Sequence, residues 1–186
     1  VPGGGTNSAT NGFAIAGQAS GFMGAGLYYN GANFAWYDAG GFVRGIDYGV
    51  DAGTRTTAGT IRTNIGSIAH QQFTGGLIDD QTGATFTTLA FTAAGNYRQF
   101  GTTTVTGILF SGSNTRSMTG QTRAPNNTDL VARVDLVSGT LNPWLIVANG
   151  TNGLTKSGPG TLSLTGANTF TGPTRPLEGT IAVGNA

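Results

Sequence analysis

Residues 153–184 read GLTKSGPGTLSLTGANTFTGPTRPLEGTIAVG, and the fold is decided there. Gly160-Thr161-Leu162 and Gly179-Thr180-Ile181 each open a short run with apolar residues at alternate positions, Leu162 with Leu164 and Ile181 with Val183. Alternation with a period of two marks a strand with one apolar face. The same Gly-Thr-aliphatic triplet stands at Gly139-Thr140-Leu141 and, far upstream, at Gly59-Thr60-Ile61; the last three copies are separated by 21 and 19 residues. Three short strands and three turns close one circuit in roughly twenty residues, the scale of a solenoid repeat. The spacing therefore predicts equivalent strands lying on one another, about 4.8 Å apart, with inward Leu, Ile, Val and Phe in continuous columns.

Working outward, Leu130, Ala132, Val134 and Leu136 alternate with Val131, Arg133, Asp135 and Val137, which places Arg133 and Asp135 together on the outer face. Trp144, Ile146 and Ala148 alternate again after Pro143. Phe86, Leu89 with Phe91, Val105, and Ile108 with Phe110 predict more strands of the same kind, with β-branched Thr suited to their exposed side. Residues 1–53 differ in texture: Gly and Ala separate Phe22, Tyr28, Tyr29, Phe34, Trp36, Tyr37, Phe42 and Tyr48, behind an extended lead-in over 1–12. The expected fold is all-β, a parallel β-helix or β-solenoid forming one elongated domain over 1–186. The alternative is a β-sandwich-like N-terminal part followed by solenoid coils. At about twenty residues per coil, 186 residues would make a rod on the order of 40–45 Å long.

Composition points the same way. Of 186 residues, 33 are Gly and 30 Thr, whereas Lys156, Glu178 and His70 are the single members of their types. The good helix formers Lys and Glu are almost absent and the poor ones Gly and Thr abundant, which argues against an ordinary helical or α/β enzyme. A hydrophobic share of 38% with a net charge of +1 excludes a disordered chain, and no basic run exists to steer nucleic acid. Without Cys there is neither a disulfide framework nor a thiolate zinc site. No apolar run reaches the roughly 18 residues of a membrane-spanning helix.

The stretch Gly153-Leu154-Thr155-Lys156-Ser157-Gly158-Pro159-Gly160-Thr161-Leu162, continued by Gly166-Ala167-Asn168-Thr169-Phe170-Thr171-Gly172 and Gly179-Thr180-Ile181-Ala182-Val183-Gly184, resembles the autotransporter-associated β-strand repeat. The resemblance is close over 153–184 and extends over about 139–186. Pro173, Arg175 and Pro176 depart from it, standing where the family usually has Gly, Thr and a small or aliphatic residue. It implies a right-handed β-solenoid used as a stalk, adhesin or matrix element of a secreted bacterial surface protein, with no catalytic residue in the repeat. The family's membrane-translocating barrel is not read here, so the chain is expected to be a piece of a longer protein, a released passenger, or a barrel-less relative.

Candidate sites are few. Asp79-Asp80 is the one acidic doublet and reads better as a solvated turn than as a calcium or lyase site, because the other acids are scattered. His70, beside Ala69 and Gln71, has no triad or metal context. The Thr clusters at 85–88 and 102–106 are too irregular for an ice-binding face. The sequons at Asn126 and Asn149 matter only in a host that glycosylates them. Trp36 and Tyr37 are candidates for stacking a glycan, against the plainer reading that the aromatic zone is a packing layer. No capping helix or charged plug is read after Thr180, Ile181, Ala182 and Val183, which form a candidate self-assembly end. The expectation is a non-enzymatic building block of a bacterial surface fibre or matrix, without cofactor or metal. Its partners would be copies of itself in a head-to-tail polymer, or, as an adhesin passenger, glycans.

Overall fold

The computed structural model describes residues 15–80, 82–125, 127–147 and 150–184; the lead-in over 1–12 and the sequon residues Asn126 and Asn149 lie outside them. Every regular element among the described residues is a strand. Strands β1 (Gly21–Phe22), β2 (Tyr28–Tyr29), β3 (Asn33–Tyr37) and β4 (Val43–Gly45) form a small antiparallel sheet in which β3 pairs with the other three. From Thr54 onward all pairing is parallel, and the chain winds as a β-solenoid of about 6 turns.

One side of the solenoid stacks β5 (Thr54–Thr57), β6 (His70–Phe73), β8 (Thr85–Phe91), the end of β9 (Gly95–Phe110), β11 (Leu130–Val134), β13 (Leu154–Ser157) and β15 (Thr174–Pro176). A second side stacks β7 (Ile78–Asp80), the start of β9, β10 (Asn114–Arg123), β12 (Gly139–Val147), β14 (Thr161–Leu164) and β16 (Thr180–Val183). The core is built of columns. Phe73, Phe91, Phe110 and Val134 lie in register and are all fully buried. The Phe73 and Phe91 rings stack with centroids 5.6 Å apart, and Tyr97 closes the cluster at 5.7 and 5.8 Å. Identical neighbours one strand spacing apart favour such offset stacks.

The triplet spacing read from the sequence is the coil register. Thr140 pairs with Thr161 and Thr161 with Thr180, and the Leu141–Leu162–Ile181 column follows them. Gly59-Thr60-Ile61 lies on the same side but out of step: Ile61 bridges Ile78, in the column of Tyr97 and Met118, two residues along from Leu141. Coil length also varies, since Thr54 pairs with His70 and Gly107 with Val131, steps of 16 and 24 residues. Strand β12 runs through Pro143 instead of starting after it, because β14 pairs only with Thr140 and Leu141 and asks no N–H of Pro143. Despite its two prolines, the stretch after Gly172 pairs regularly, with Thr174, Arg175 and Pro176 opposite Leu154, Thr155 and Lys156. About 6 turns make a stack of about 30 Å, not 40–45 Å, because the aromatic zone before Thr54 is not wound into coils.

Candidate functional site

The N-terminal sheet lies across the outward face of the solenoid's first side. Outward residues of successive coils are His70 and Gln72, Thr88 and Ala90, Gly107 and Leu109, Val131 and Arg133, and Thr155 and Ser157. Ala90 and Leu109 pack into one cluster with Phe34, Trp36, Ile46 and Tyr48. A Cβ at Gly107 would stand 2.9 Å from the Ala25 Cβ and 3.1 Å from the Phe34 ring, so only glycine lets the two sheets meet. Arg133 donates to the Gly31 carbonyl (2.8 Å), pairs with Asp135 (2.6 Å) and lies 5.0 Å from the Tyr28 ring. The outer-face pairing of Arg133 with Asp135 thus anchors the cover. Burial pushes the Tyr28 phenol up to about 12, with the Ser157 hydroxyl and Arg133 pulling the other way. Strands covered on both faces explain the unbroken apolar runs Leu89-Ala90-Phe91 and Ile108-Leu109-Phe110.

Trp36 and Tyr37 lie within this packing layer, 9% and 7% exposed. The Trp36 ring meets His70 edge-on at 6.1 Å and Arg44 at 6.0 Å, and the Tyr37 hydroxyl accepts from the Ile15 amide (3.1 Å). Asp79 holds Arg98 in a bidentate pair at 2.6 and 3.0 Å across adjacent coils. The Asp80 side chain lies outside the described positions. His70 is buried, with Nδ1 2.9 Å from the Thr88 hydroxyl and its ring 4.5 Å from Phe22.

Burial holds the His70 pKa below its usual 6.5, and Asp51, itself paired with Arg44 at 2.5 Å, only partly opposes this. The folded chain therefore refuses a proton that the unfolded chain accepts below pH 6.5. Stability is complete above that pH and falls as pH drops through it. Melting temperature measured from pH 7.5 to 5 is expected to decline in the wild type and to flatten in His70→Gln; an unchanged slope in the variant would assign the decline to other groups.

Two cations sit inside the solenoid, and sequence reasoning missed both. Arg116 is fully buried under the Phe91 ring at 4.4 Å and faces the carbonyls of Gly75, Gly76, Ala93 and Asn96 at 3.3–3.5 Å. Burial lowers its pKa to about 10. Lys156 is fully buried as well and donates to the carbonyls of Ser157 (2.7 Å), Gly158 (2.6 Å) and, in the next coil, Glu178 (3.1 Å). Burial pulls it down to about 8, with Glu178 opposing. Each ammonium or guanidinium gathers backbone carbonyls from neighbouring coils, tying one coil to the next. The available signal was periodicity: Lys156 occupies an inward position two residues after Leu154.

At the far end, β16 pairs with β14 on one edge, and among the described residues no strand lies on its other edge. Thr180 N–H donates to Gly160 and Gly184 N–H to Leu164, so by ladder alternation the Ile181 and Val183 N–H groups point to the open edge. Val183 is 78% exposed and Leu177, just before it, 71%.

Short parallel coils, inward apolar columns and glycine turns define this chain as a parallel β-solenoid of repeated coils. Residues 154–183, which are β13 to β16 with their turns, match the passenger-associated-transport-repeat family. Over 89 residues, 46% of this chain, the sequence is 39% identical to the adhesin BmaC autotransporter of Brucella suis biovar 1 (strain 1330). The chain spans 3% of that protein's length. No solved structure matches the chain. The chain therefore carries an autotransporter-associated passenger repeat.

Proposed function

We propose that this chain is a stalk segment of a secreted bacterial surface adhesin. It is a non-enzymatic spacer that stands at the cell surface and carries contact residues on its outer faces. The observation that carries this reading is the continuity of the Leu141–Leu162–Ile181 column through the matched repeat to an edge whose N–H groups point outward. Such an edge accepts one more parallel coil, and each added coil buries another apolar layer. In a longer chain the coil that follows supplies that layer. Between separate copies, the last coil, with β15 and Thr180–Val183, would meet the open edge of the first coil, with β5 and Ile61, and head-to-tail pairing of this kind does not close, so it would give a filament.

Electron microscopy of the purified chain tests the pairing. The expected result is filaments at high concentration with an axial repeat of about 30 Å, the stack height of six strand spacings. Val183→Pro removes an outward donor at a residue that is 78% exposed and leaves the β14 ladder intact. It is expected to abolish the filaments without lowering the melting temperature. Isolated short rods at every concentration would rule out self-assembly and leave the stalk segment.

A further inference from the structure

Phe100 is the one aromatic side chain among the described residues that stands in the open, 68% exposed. The alternation of β9 puts it there: Tyr97, Gln99 and Thr103 are buried, Arg98 and Phe100 exposed. The β9–β10 ladder is irregular at the same place. Arg98 pairs with Thr119 and Thr102 with Gln121, so Gln99, Phe100 and Gly101 together face the single residue Gly120. The bulge adds two residues to β9, so the alternation stays in phase across it. Gln99 turns inward and is pinned: it donates to the Gln121 carbonyl (2.5 Å) and the Thr122 hydroxyl (3.2 Å), and it accepts from Thr103. Phe100 turns outward.

The coils on either side make room for this arrangement. Gly120 has φ +102, and a Cβ there would lie 2.3 Å from the Gln99 side chain; one at Gly101 would lie 2.1 Å from the Thr82 carbonyl. The bulge is internally hydrogen-bonded and only glycine neighbours permit it, and the stretch that carries it buries an amide while presenting a phenyl ring to solvent, a combination poorly explained by stability alone.

The described side chains around the ring are polar. Thr102 donates to Gln121 Oε1 (2.9 Å), and Arg98 is locked onto Asp79 (2.6 Å) with its side chain 48% exposed. Arg123 is exposed; its Nε reaches only the Thr104 hydroxyl at 3.5 Å, and among the described residues no carboxylate pairs with it. Along β9 and β10 the order is therefore phenyl ring, amide, guanidinium. From Phe100 to Thr104, the residue opposite Arg123, is about 13 Å, the length of a short oligosaccharide. A protein partner would need a contiguous apolar patch of several hundred Å². A lone ring among hydroxyls, an amide and an uncommitted guanidinium suits a sugar, whose C–H face is apolar and whose rim is polar.

We propose that Phe100 is the stacking platform of a saccharide site that takes an acidic polysaccharide, with Gln121 binding hydroxyls and Arg123 binding the carboxylates. This rests on the surface-adhesin reading above and gives that adhesin its ligand class.

The test measures binding of the whole chain to polygalacturonate oligomers and to dextran, by calorimetry at two salt concentrations. The wild type is expected to bind polygalacturonate more tightly than dextran and to weaken as salt rises. Phe100→Ala is expected to weaken binding about tenfold, Phe100→Tyr to retain it, and Arg123→Gln to remove the preference for polygalacturonate. Both side chains are exposed, so melting temperatures stay level. Unchanged binding in Phe100→Ala would overturn the site and leave the adhesin reading standing. A wild type that binds neither polymer would overturn the site and the ligand class, leaving the stalk reading to the filament test. Equal binding of both polymers, untouched by Arg123→Gln, would overturn the acidic class.

Discussion

Phe91→Ala is expected to lower the unfolding free energy by about 3–5 kcal/mol, with a fall in melting temperature on the order of 10 °C. Phe91 is fully buried in the middle of the Phe73–Phe91–Phe110 column, 5.6 Å from the Phe73 ring and 5.8 Å from the Tyr97 ring. The coils above and below are fixed by ladder hydrogen bonds and cannot close over the gap, so the transfer loss and the cavity loss add. A second loss follows, because the Arg116 guanidinium lies 4.4 Å from the same ring and would keep only its carbonyl neighbours. The effect should therefore fall at the upper end of the range. Phe91→Leu, which keeps the column filled, should cost less than half as much. Adding Arg116→Met to Phe91→Ala should recover part of the loss, since the buried charge disappears together with its missing face. Denaturant unfolding reads all of these. A loss under about 1 kcal/mol for Phe91→Ala would mean that the coils slide to fill the space and that the columns do not fix the register.

How much of this was legible follows from how local each signal is. The C-terminal coils were readable because Gly139, Gly160 and Gly179 mark turns at nearly constant spacing and Leu141, Leu162 and Ile181 follow at the same offset. Where coil length drifts from 16 to 24 residues the repeat has no fixed period, and strands such as β6 and β8 could be placed only by their apolar residues. The N-terminal aromatics signalled packing, but not what they packed on, because their partners Ala90, Gly107 and Leu109 lie far along the chain. The runs Leu89-Ala90-Phe91 and Ile108-Leu109-Phe110 carried that information, since a strand apolar on both faces needs a cover on each. Trp36 and Tyr37 stood out as large aromatics; Phe100, the exposed one, did not, because residues 96–104 hold too few apolar residues to show in the sequence which positions face outward. Lys156 and Arg116 escaped notice because a charged residue in an alternating pattern reads as outward until the carbonyls of the neighbouring turns are seen to converge on it.

Phe34→Ala should separate the cover from the solenoid. Phe34 is fully buried, 5.3 Å from the Tyr28 ring and 6.1 Å from Phe22, and it rests directly on the bare backbone of Gly107. Its removal takes about 3–5 kcal/mol from a sheet of four short strands that cannot persist alone. Hydrogen exchange is expected to show full loss of protection over β1 to β4, a smaller loss where the cover crosses β8, β9 and β11, and none in β12 and β14, and trypsin should gain access at Arg44. Gly107→Val should give the same pattern from the opposite face, since a Cβ at that position would push against Ala25 and the Phe34 ring. A uniform loss of protection along the whole ladder would instead mean that cover and coils unfold together. That distinction bears on what the cover does. A solenoid is held only by neighbour-to-neighbour contacts, so it opens wherever one interface is weakest. The antiparallel sheet meets His70 in β6, Ala90 in β8, Leu109 in β9 and Arg133 in β11, bridging several successive interfaces from outside. Removing it should therefore leave each coil folded while making the separation of adjacent coils easier, and that extra opening is what the exchange of Ile108 and Ala132 amides in the two variants would report.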